Sequence, residues 1–346
     1  MTADVFSAAK TTTVRSAVPP VLGSARDVVQ PALRAAVDRL DDTSRAISAY
    51  HLGWTDPNGV PVQGNGGKAV RSALAVVSAQ AAGAPVEVGV PGAVAVELVH
   101  NFSLVHDDLM DGDTERRHRP TVWALYGSAS AILTGDAMLA LAQEVVLDSG
   151  SPHAVSAGRL LTETTRRLIH GQFLDVAFEQ RDDVRLTECV TMAAGKTGAL
   201  LSASAAIGAV LAGAPAEVVD ALAVFGEEIG LAFQLVDDVL GIWGDPAVTG
   251  KSVYSDLRAR KKSLPITYAT THGGAAGRRL AEWLAGDDDT DLARIAALVD
   301  DAGGREWATA EAARHVATAE QALAVIPPGP RADLVSIARF IAGREA

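Results

Sequence analysis

Residues 97–121 read ELVHNFSLVHDDLMDGDTERRHRPT, an apolar run that ends in Asp107, Asp108 and Asp111 and passes at once into Arg116, Arg117 and Arg119. At 100° per residue along a helix from Val94 to Asp111, the residues Val94, Leu98, Phe102, Val105 and Leu109 form one apolar stripe. His100, Leu104, Asp107 and Asp111 fall on the opposite side within a band of roughly 60°. The spacing therefore predicts two carboxylates, one turn apart, on a single helix face. Two carboxylates about 4 Å apart repel by roughly 4 kcal/mol at an effective dielectric near 20. Such a face wants a cation; an exposed acidic helix end is the alternative that this stretch by itself leaves open.

The rest of the chain supplies the setting. In 346 residues, 48% are hydrophobic and only 5% aromatic, with abundant Ala and Leu and few alternating runs. That composition predicts helices around a large core. The net charge of −12 argues against nucleic acid or an anionic membrane surface as a general partner. An anionic substrate would have to be held by local basic groups, and the six lysines fall mostly in short polar motifs: Lys10, Lys68, Lys196, Lys251, Lys261 and Lys262. Cys189 is the only cysteine, which excludes an intrachain disulfide and fits a reducing, cytoplasmic compartment. The first 20 residues lack the apolar core of a signal peptide. The most membrane-like run, Gly198 to Ala214, holds Ser202 and Ser204 and falls short of the ~18 residues of a span, so it reads as a buried helix and no transmembrane segment is expected.

Taken in order, residues 1–22 read as a flexible tail and residues 23–346 as one domain. Ser24 to His51 is helical, with Pro31 near a first turn. A loop rich in turn residues, GWTDPNGVPVQGNGG, then brings Lys68 and Arg71 to the start of the next helix, either an anion site or an ordinary helix end. Ser128 to Leu147 is a helix containing Gly135-Asp136. Pro152 to Gln180 carries Gly171, Gln172 and Asp175, whose polar pair is either core-satisfying or part of a site. Lys196 and Thr197 sit in an otherwise apolar helix, where a lysine caps the start or faces a ligand. From Glu217 to Gly241 the design of the first acidic helix recurs. Gly226, Gly230, Phe233, Gln234 and Gly241 lie within roughly 60° of Asp237 on the wheel, beside Asp238. Those glycines admit a ligand, close helix packing, or both. The following polar segment, with Asp245, Lys251, Asp256, Lys261 and Lys262, reads as a lid over a phosphate-bearing ligand.

Carboxylate ligands without a Cys/His cluster suit Mg²⁺, which keeps waters and shares substrate phosphates, rather than zinc. Basic residues around the acidic ends would take the rest of a diphosphate, and apolar helix faces a hydrocarbon. The combination points to a hydrophobic diphosphate substrate.

From about Val28 to Arg344 the chain resembles the trans-polyprenyl diphosphate synthase family, and within it the geranylgeranyl diphosphate synthases. The resemblance rests on Gly67-Lys68 with Arg71, the stretch Glu97 to Asp111, Arg116-Arg117, Gly135-Asp136, Gly171-Gln172 with Asp175, Lys196-Thr197, Phe233-Gln234 with Asp237-Asp238, and Lys251, Asp256 and Lys261. It implies an all-α isoprenoid synthase fold, an orthogonal bundle of ten or more helices around a central cavity, usually homodimeric. The implied reaction condenses isopentenyl diphosphate with an allylic diphosphate (dimethylallyl, geranyl or farnesyl) and releases pyrophosphate. Carried over, Asp107 and Asp111 would bind two Mg²⁺ and Asp237 a third, with Asp108 and Asp238 in support. Arg116, Lys196 and Lys261 would hold the allylic diphosphate, and Lys68, Arg71, His100 and Arg117 the isopentenyl diphosphate. Lys251 joins the binding set, and Thr197 and Gln234 would turn their dipoles toward the allylic cation.

The sequence departs from that pattern at Gly241, where a last aspartate is common, at Ser72, where proline is common, and at His118, where glycine is common. The resemblance also makes Phe102 a plug that limits the product to about C20, with C15 and C25 as alternatives. The wheel instead puts Ser103 nearer the Asp107 face. A terpene cyclase would carry a different second acidic motif and no isopentenyl pocket. A packaged or partner subunit of a larger assembly, attached through residues 1–22, remains compatible with activity.

Overall fold

A computed structural model describes residues 18–62, 69–245, 253–286 and 291–343. Its helices are α1 (Pro20–Val37), α2 (Asp42–His51), α3 (Val70–Ala81), α4 (Val86–Met110), α5 (Val122–Tyr126), α6 (Ser128–Leu147), α7 (Ala154–Glu179), α8 (Leu186–Ala193), α9 (Ala199–Leu211) and α10 (Ala216–Trp243). After them come α11 (Ser255–Arg258), α12 (Leu264–His272), α13 (Gly274–Ala285), α14 (Leu292–Asp301), α15 (Gly304–Ala322) and α16 (Pro328–Ala342). Strands among the described residues are confined to a two-stranded hairpin, β1 (Glu115–Arg116) and β2 (Arg119–Pro120), between α4 and α5. The expected all-α class holds.

The helix that carries the acidic motif is the axis of the fold. α4 begins earlier than its apolar stripe predicts, at Val86, and carries Pro91 within it. Val94, Leu98, Phe102 and Val105 are buried, as the stripe requires, and α3, α6 and α9 pack around them. α9 is buried along nearly its whole length, as a helix apolar on all sides must be.

The expected helix from Ser24 to His51 is two helices. Asp41 caps the second, its carboxylate accepting from the Thr43 and Ser44 amides at 3.0 and 3.1 Å, a stop-and-start signal that the apolar period conceals. The tail boundary also moves. Pro20 opens α1 and Leu22 is buried beneath it, so Pro19-Pro20 begins the helix, a position whose missing amide costs nothing. Residues 1–17 of the expected tail lie outside the described residues.

A second correction concerns length. The apolar run expected to fall short of a membrane span belongs to a continuous helical stretch, Leu186–Leu211, which by length and composition could cross one, as could α4 and α6. Most of the Leu186–Leu211 window, 83%, is buried inside the fold, whereas only 39% of the α6 window is. Cys189 is a small buried group, as read from the sequence; its thiol reaches the Lys262 carbonyl at 3.3 Å, and burial pushes it up to about 11.

Candidate active site

A cavity of about 620 Å³ lies between the C-terminal half of α4, α7, the junction of α8 and α9, α10 and the segment entering α12. It collects most of the residues that the sequence singles out: Arg71, His100, Ser103, Asp107, Asp111, Arg116, Arg117, Lys196, Thr197, Gln234, Asp237 and Lys261. Leu104, Leu168, Met192, Leu200, Leu201 and Phe233 give it an apolar side. Lys68 and Lys251 lie outside the described residues, as does the middle of the expected lid.

On the α4 wall the helical wheel is obeyed. His100, Leu104, Asp107 and Asp111 all face the cavity. Burial pushes the Asp107 carboxyl up to about 6 against the pull of Lys196, with Asp111 raising it further, and burial raises Asp111 as well. Uncompensated negative charge is thus held at this face. Asp108 turns inward instead and is 1% exposed; one oxygen accepts Nε and Nη2 of Arg116 at 2.8 and 2.7 Å. Its other oxygen is buried without a partner.

Phe102 does not line the cavity. It is buried on another face of α4, its ring edge-on to His106 at 5.2 Å, and the 100° step between neighbours gives Ser103 the cavity position. Ser103 and Leu104, and not Phe102, are the residues of this turn that border the cavity. Gly135 explains the Gly-Asp pair of α6: a Cβ there would overlap the His106 imidazole, and Asp136 lies 3.9 Å from that ring.

The junction of α8 and α9 is a π-helical turn, Ala194–Gly198, containing both Lys196 and Thr197. Such insertions recur at functional sites because they re-aim side chains within a helix. Gly171 lets α7 cross this turn so closely that a Cβ would overlap the Lys196 backbone. One turn on, Asp175 accepts from Lys196 Nζ at 2.6 Å. The open reading of Asp175 closes here: it borders the cavity and fixes the lysine. Gln172 is buried away from the lining, with neither amide atom hydrogen-bonded.

α10 forms the facing wall. Thr197 Oγ1 donates to Gln234 Oε1 at 2.6 Å, Gln234 Nε2 donates to Asp238 at 2.7 Å, and the Leu264 amide donates to the other Asp238 oxygen at 2.9 Å. This relay fixes the glutamine amide from the core outward, and burial, with Asp256 adding to it, pushes Asp238 up to about 7. The glycines of α10 serve packing. Gly226 meets the backbone of Leu201 and Ser202, and Gly230 meets Gly198. Gly241, where the family pattern has an aspartate, leaves room for the Asp256 carboxylate, which a Cβ would overlap.

The basic groups are set among these carboxylates. Burial lowers the affinity of Lys261 for its proton, but Asp175, Asp256, Asp111 and Asp238 outweigh it and the lysine is raised. Burial holds His100 well below its ordinary value, with Arg71, Arg117 and Arg116 adding repulsion, so the imidazole is neutral. Ser72, where proline is common, uses the amide that proline lacks: it donates to Glu97 at 3.1 Å, fastening the start of α3 to α4. Sequence reasoning missed the Asp175–Lys196 pair, the inward turn of Asp108 and the wall built by Arg26, Gln30 and Trp54. The first joins α7 to the π-helical turn where Gly171 lets them cross, the second depends on the hairpin that follows α4, and the third on long-range packing.

Residues 61–302 match the model of the polyprenyl synthetase family. A (2E,6E)-farnesyl diphosphate synthase of Mycobacterium tuberculosis is 57% identical over 335 residues, 94% of this chain and 93% of the relative. A geranylgeranyl diphosphate synthase of the same organism is 40% identical over 330 residues, with the same two coverages. The crystal structure of a polyprenyl synthetase from Streptomyces coelicolor A3(2) superposes with a TM-score of 0.89 at 52% identity, covering 93% of this chain and 98% of that one.

Proposed function

Because the chain belongs to the polyprenyl synthetase family and is a prenyltransferase, we propose that this cavity joins isopentenyl diphosphate to an allylic diphosphate and releases pyrophosphate. The observation that carries the reading is the meeting, in one cavity, of two acidic helix ends, a ring of basic side chains and an apolar floor. Arg116, Lys196 and Lys261 grip the allylic diphosphate, while Arg71, Arg117 and neutral His100 grip the second substrate. A neutral imidazole adds a hydrogen bond there without adding charge to a crowded cationic corner. The allylic C–O bond breaks, a new C–C bond forms, and the departing pyrophosphate takes the proton, so no protein base is required. Thr197 and Gln234, locked by the relay to Asp238, present fixed dipoles to the cation, which preorganisation makes effective.

The residues present fit Mg²⁺. Asp107 and Asp111 carry charge that burial opposes, and among the described residues no three acidic, His or Cys side chains form a closed cage. That suits an ion which keeps its waters and takes the remaining oxygens from phosphate. Asp107, Asp111 and Asp237 would hold it, three ions per site being the expectation, and when bound it would neutralise the leaving diphosphate.

For the product we favour fifteen carbons. The higher identity is to the farnesyl synthase, and the C20 expectation loses its plug with Phe102 away from the lining. A homodimer is part of the same reading. It is supported by the apolar stripe on α6, where Ile132, Leu133 and Leu147 are exposed. So is a cytoplasmic location, supported by a lone cysteine that stays a thiol. The test is to incubate the purified protein with labelled isopentenyl diphosphate and each allylic primer and to size the products. C15 is expected, mainly C20 restores the first expectation, and mainly C30 or longer defeats both. Ser103→Phe should shorten the products more than Phe102→Ala lengthens them.

A further inference from the structure

Arg116 pairs with Arg119 across the hairpin, and Glu115 with Pro120, so Arg117 and His118 are the two central residues of its turn. Both have positive φ, +53° and +61°. A two-residue hairpin turn of this kind normally takes Asn or Gly, because at positive φ a Cβ crowds the backbone, a cost that Gly escapes and Asn offsets by local hydrogen bonding. A turn carrying Arg and His persists only if its surroundings over-determine it.

Arg119 supplies that constraint. Its guanidinium donates from Nη1 to the Tyr50 carbonyl at 3.1 Å and from Nη2 to the Thr55 carbonyl at 2.7 Å, and it lies 4.2 Å over the Tyr50 ring. The Tyr50 hydroxyl closes the clamp by donating to the Pro120 carbonyl at 2.8 Å, and Tyr126 packs edge-on against the same ring at 5.6 Å. Arg119 does not line the cavity, so its fork is committed to the scaffold. The other two arginines of the hairpin differ in what holds them. Arg116 is fastened by Asp108. Arg117 faces the cavity with only longer-range attraction from Glu97 and Asp108, opposed by burial and by Arg116.

We propose that Arg119 is a positioning residue for Arg117. By tying the strained turn to Tyr50 and Thr55, it sets where Arg117 meets the diphosphate of the non-allylic substrate. The inference rests on the function proposed for the cavity. It predicts an unequal effect: loosening the clamp displaces Arg117 while Asp108 keeps Arg116 in place.

The experiment compares wild type with Arg119→Met, Arg119→Lys and Arg119→Met/His118→Gly. Each substrate is varied in turn, and hydrogen exchange is measured over residues 114–121. Arg119→Met should raise KM for isopentenyl diphosphate about tenfold, the scale of a misplaced rather than deleted substrate contact, with KM for the allylic substrate changed less than about threefold. Exchange in the turn should accelerate. Arg119→Lys, which keeps the charge but loses the two-carbonyl fork, should fall between, and His118→Gly, by relieving the turn, should restore part of the lost KM. Equal rises in both KM values, a KM change without faster exchange, or a fall in melting temperature with both KM values intact would each overturn the proposal. A wild type that does not consume isopentenyl diphosphate would strike the functional reading instead, and unchanged exchange in Arg119→Met would then still defeat the clamp.

Discussion

At the end of α4, Asp107 and Asp111 face the cavity while Asp108 turns back to take the Arg116 guanidinium. At the end of α10, Asp237 and Asp238 both border the cavity, but both oxygens of Asp238 are taken by Gln234 and the Leu264 amide. Each helix end thus divides adjacent carboxylates between ligand and scaffold. The backing differs. Asp108 holds a cation on a strained hairpin, whereas Asp238 holds neutral donors that orient a dipole. A carboxylate paired with a guanidinium depends on its charge, and one that takes a donor at each oxygen depends on keeping two acceptors.

The largest effect should come from the outward-facing members. Asp107→Ala and Asp237→Ala should each lower Mg²⁺-dependent turnover by about a thousandfold or more, since several kcal/mol of charge stabilisation is lost, while the helical circular dichroism is unchanged. Near-normal turnover in either variant would remove that wall from the site and end the comparison.

A middle-sized effect separates the backing residues. Asp108→Asn removes the charge from two hydrogen bonds to Arg116. It should raise KM for the allylic substrate by about tenfold or more, given that hydrogen bonds to charged groups contribute about 1.5–3 kcal/mol. Asp238→Asn sets an amide NH2 against one of two donors, the Gln234 amide or the Leu264 N–H, so it should loosen the dipole relay and lower turnover while leaving that KM within about threefold. Steady-state kinetics with each substrate varied reads both. Equal rises in the allylic KM would show that the α10 relay also helps to grip the diphosphate.

How much of this could be read beforehand follows from the range of the interactions. The helical period placed His100, Asp107 and Asp111 on one face, and the structure agrees, because a wheel needs only local geometry. It also put Ser103 nearer the Asp107 face than Phe102, and Ser103 is the one of the two that lines the cavity. The split at Asp41 was written in the sequence as a capping residue but hidden by continuous apolar spacing. The inward turn of Asp108, the Gly171 crossing that delivers Asp175 to Lys196, and Asp256 against Gly241 were not legible. Asp108 meets Arg116 across the hairpin that follows α4, and the other two contacts join different helices, so these side chains are aimed by how the chain turns and packs and not by helical period.

The smallest effect is on stability, and it tests whether the α4 wall carries strain until a cation arrives. A buried carboxyl pushed up to about 6 from an ordinary 3.8 binds its proton more tightly in the folded chain than in the unfolded one. Any stability gained from that proton is complete below about pH 4 and is lost as pH rises through 6. Above that window the ionised Asp107 costs the metal-free protein up to about 2–3 kcal/mol, because each tenfold gain in proton affinity on folding corresponds to about 1.4 kcal/mol. Asp107→Asn, with no charge to bury, should therefore melt a few degrees higher than wild type at pH 7.5 in chelator, although it is inactive. The gap should close as pH falls toward 4, and excess Mg²⁺ should narrow it at pH 7.5 by stabilising wild type alone. Asp108→Asn should gain less than Asp107→Asn, because burial raises Asp108 too but its charge is paired, and the substitution gives up the charge-assisted hydrogen bonds to Arg116. A gap independent of pH would trace the gain to packing and not to the charge held on the α4 wall.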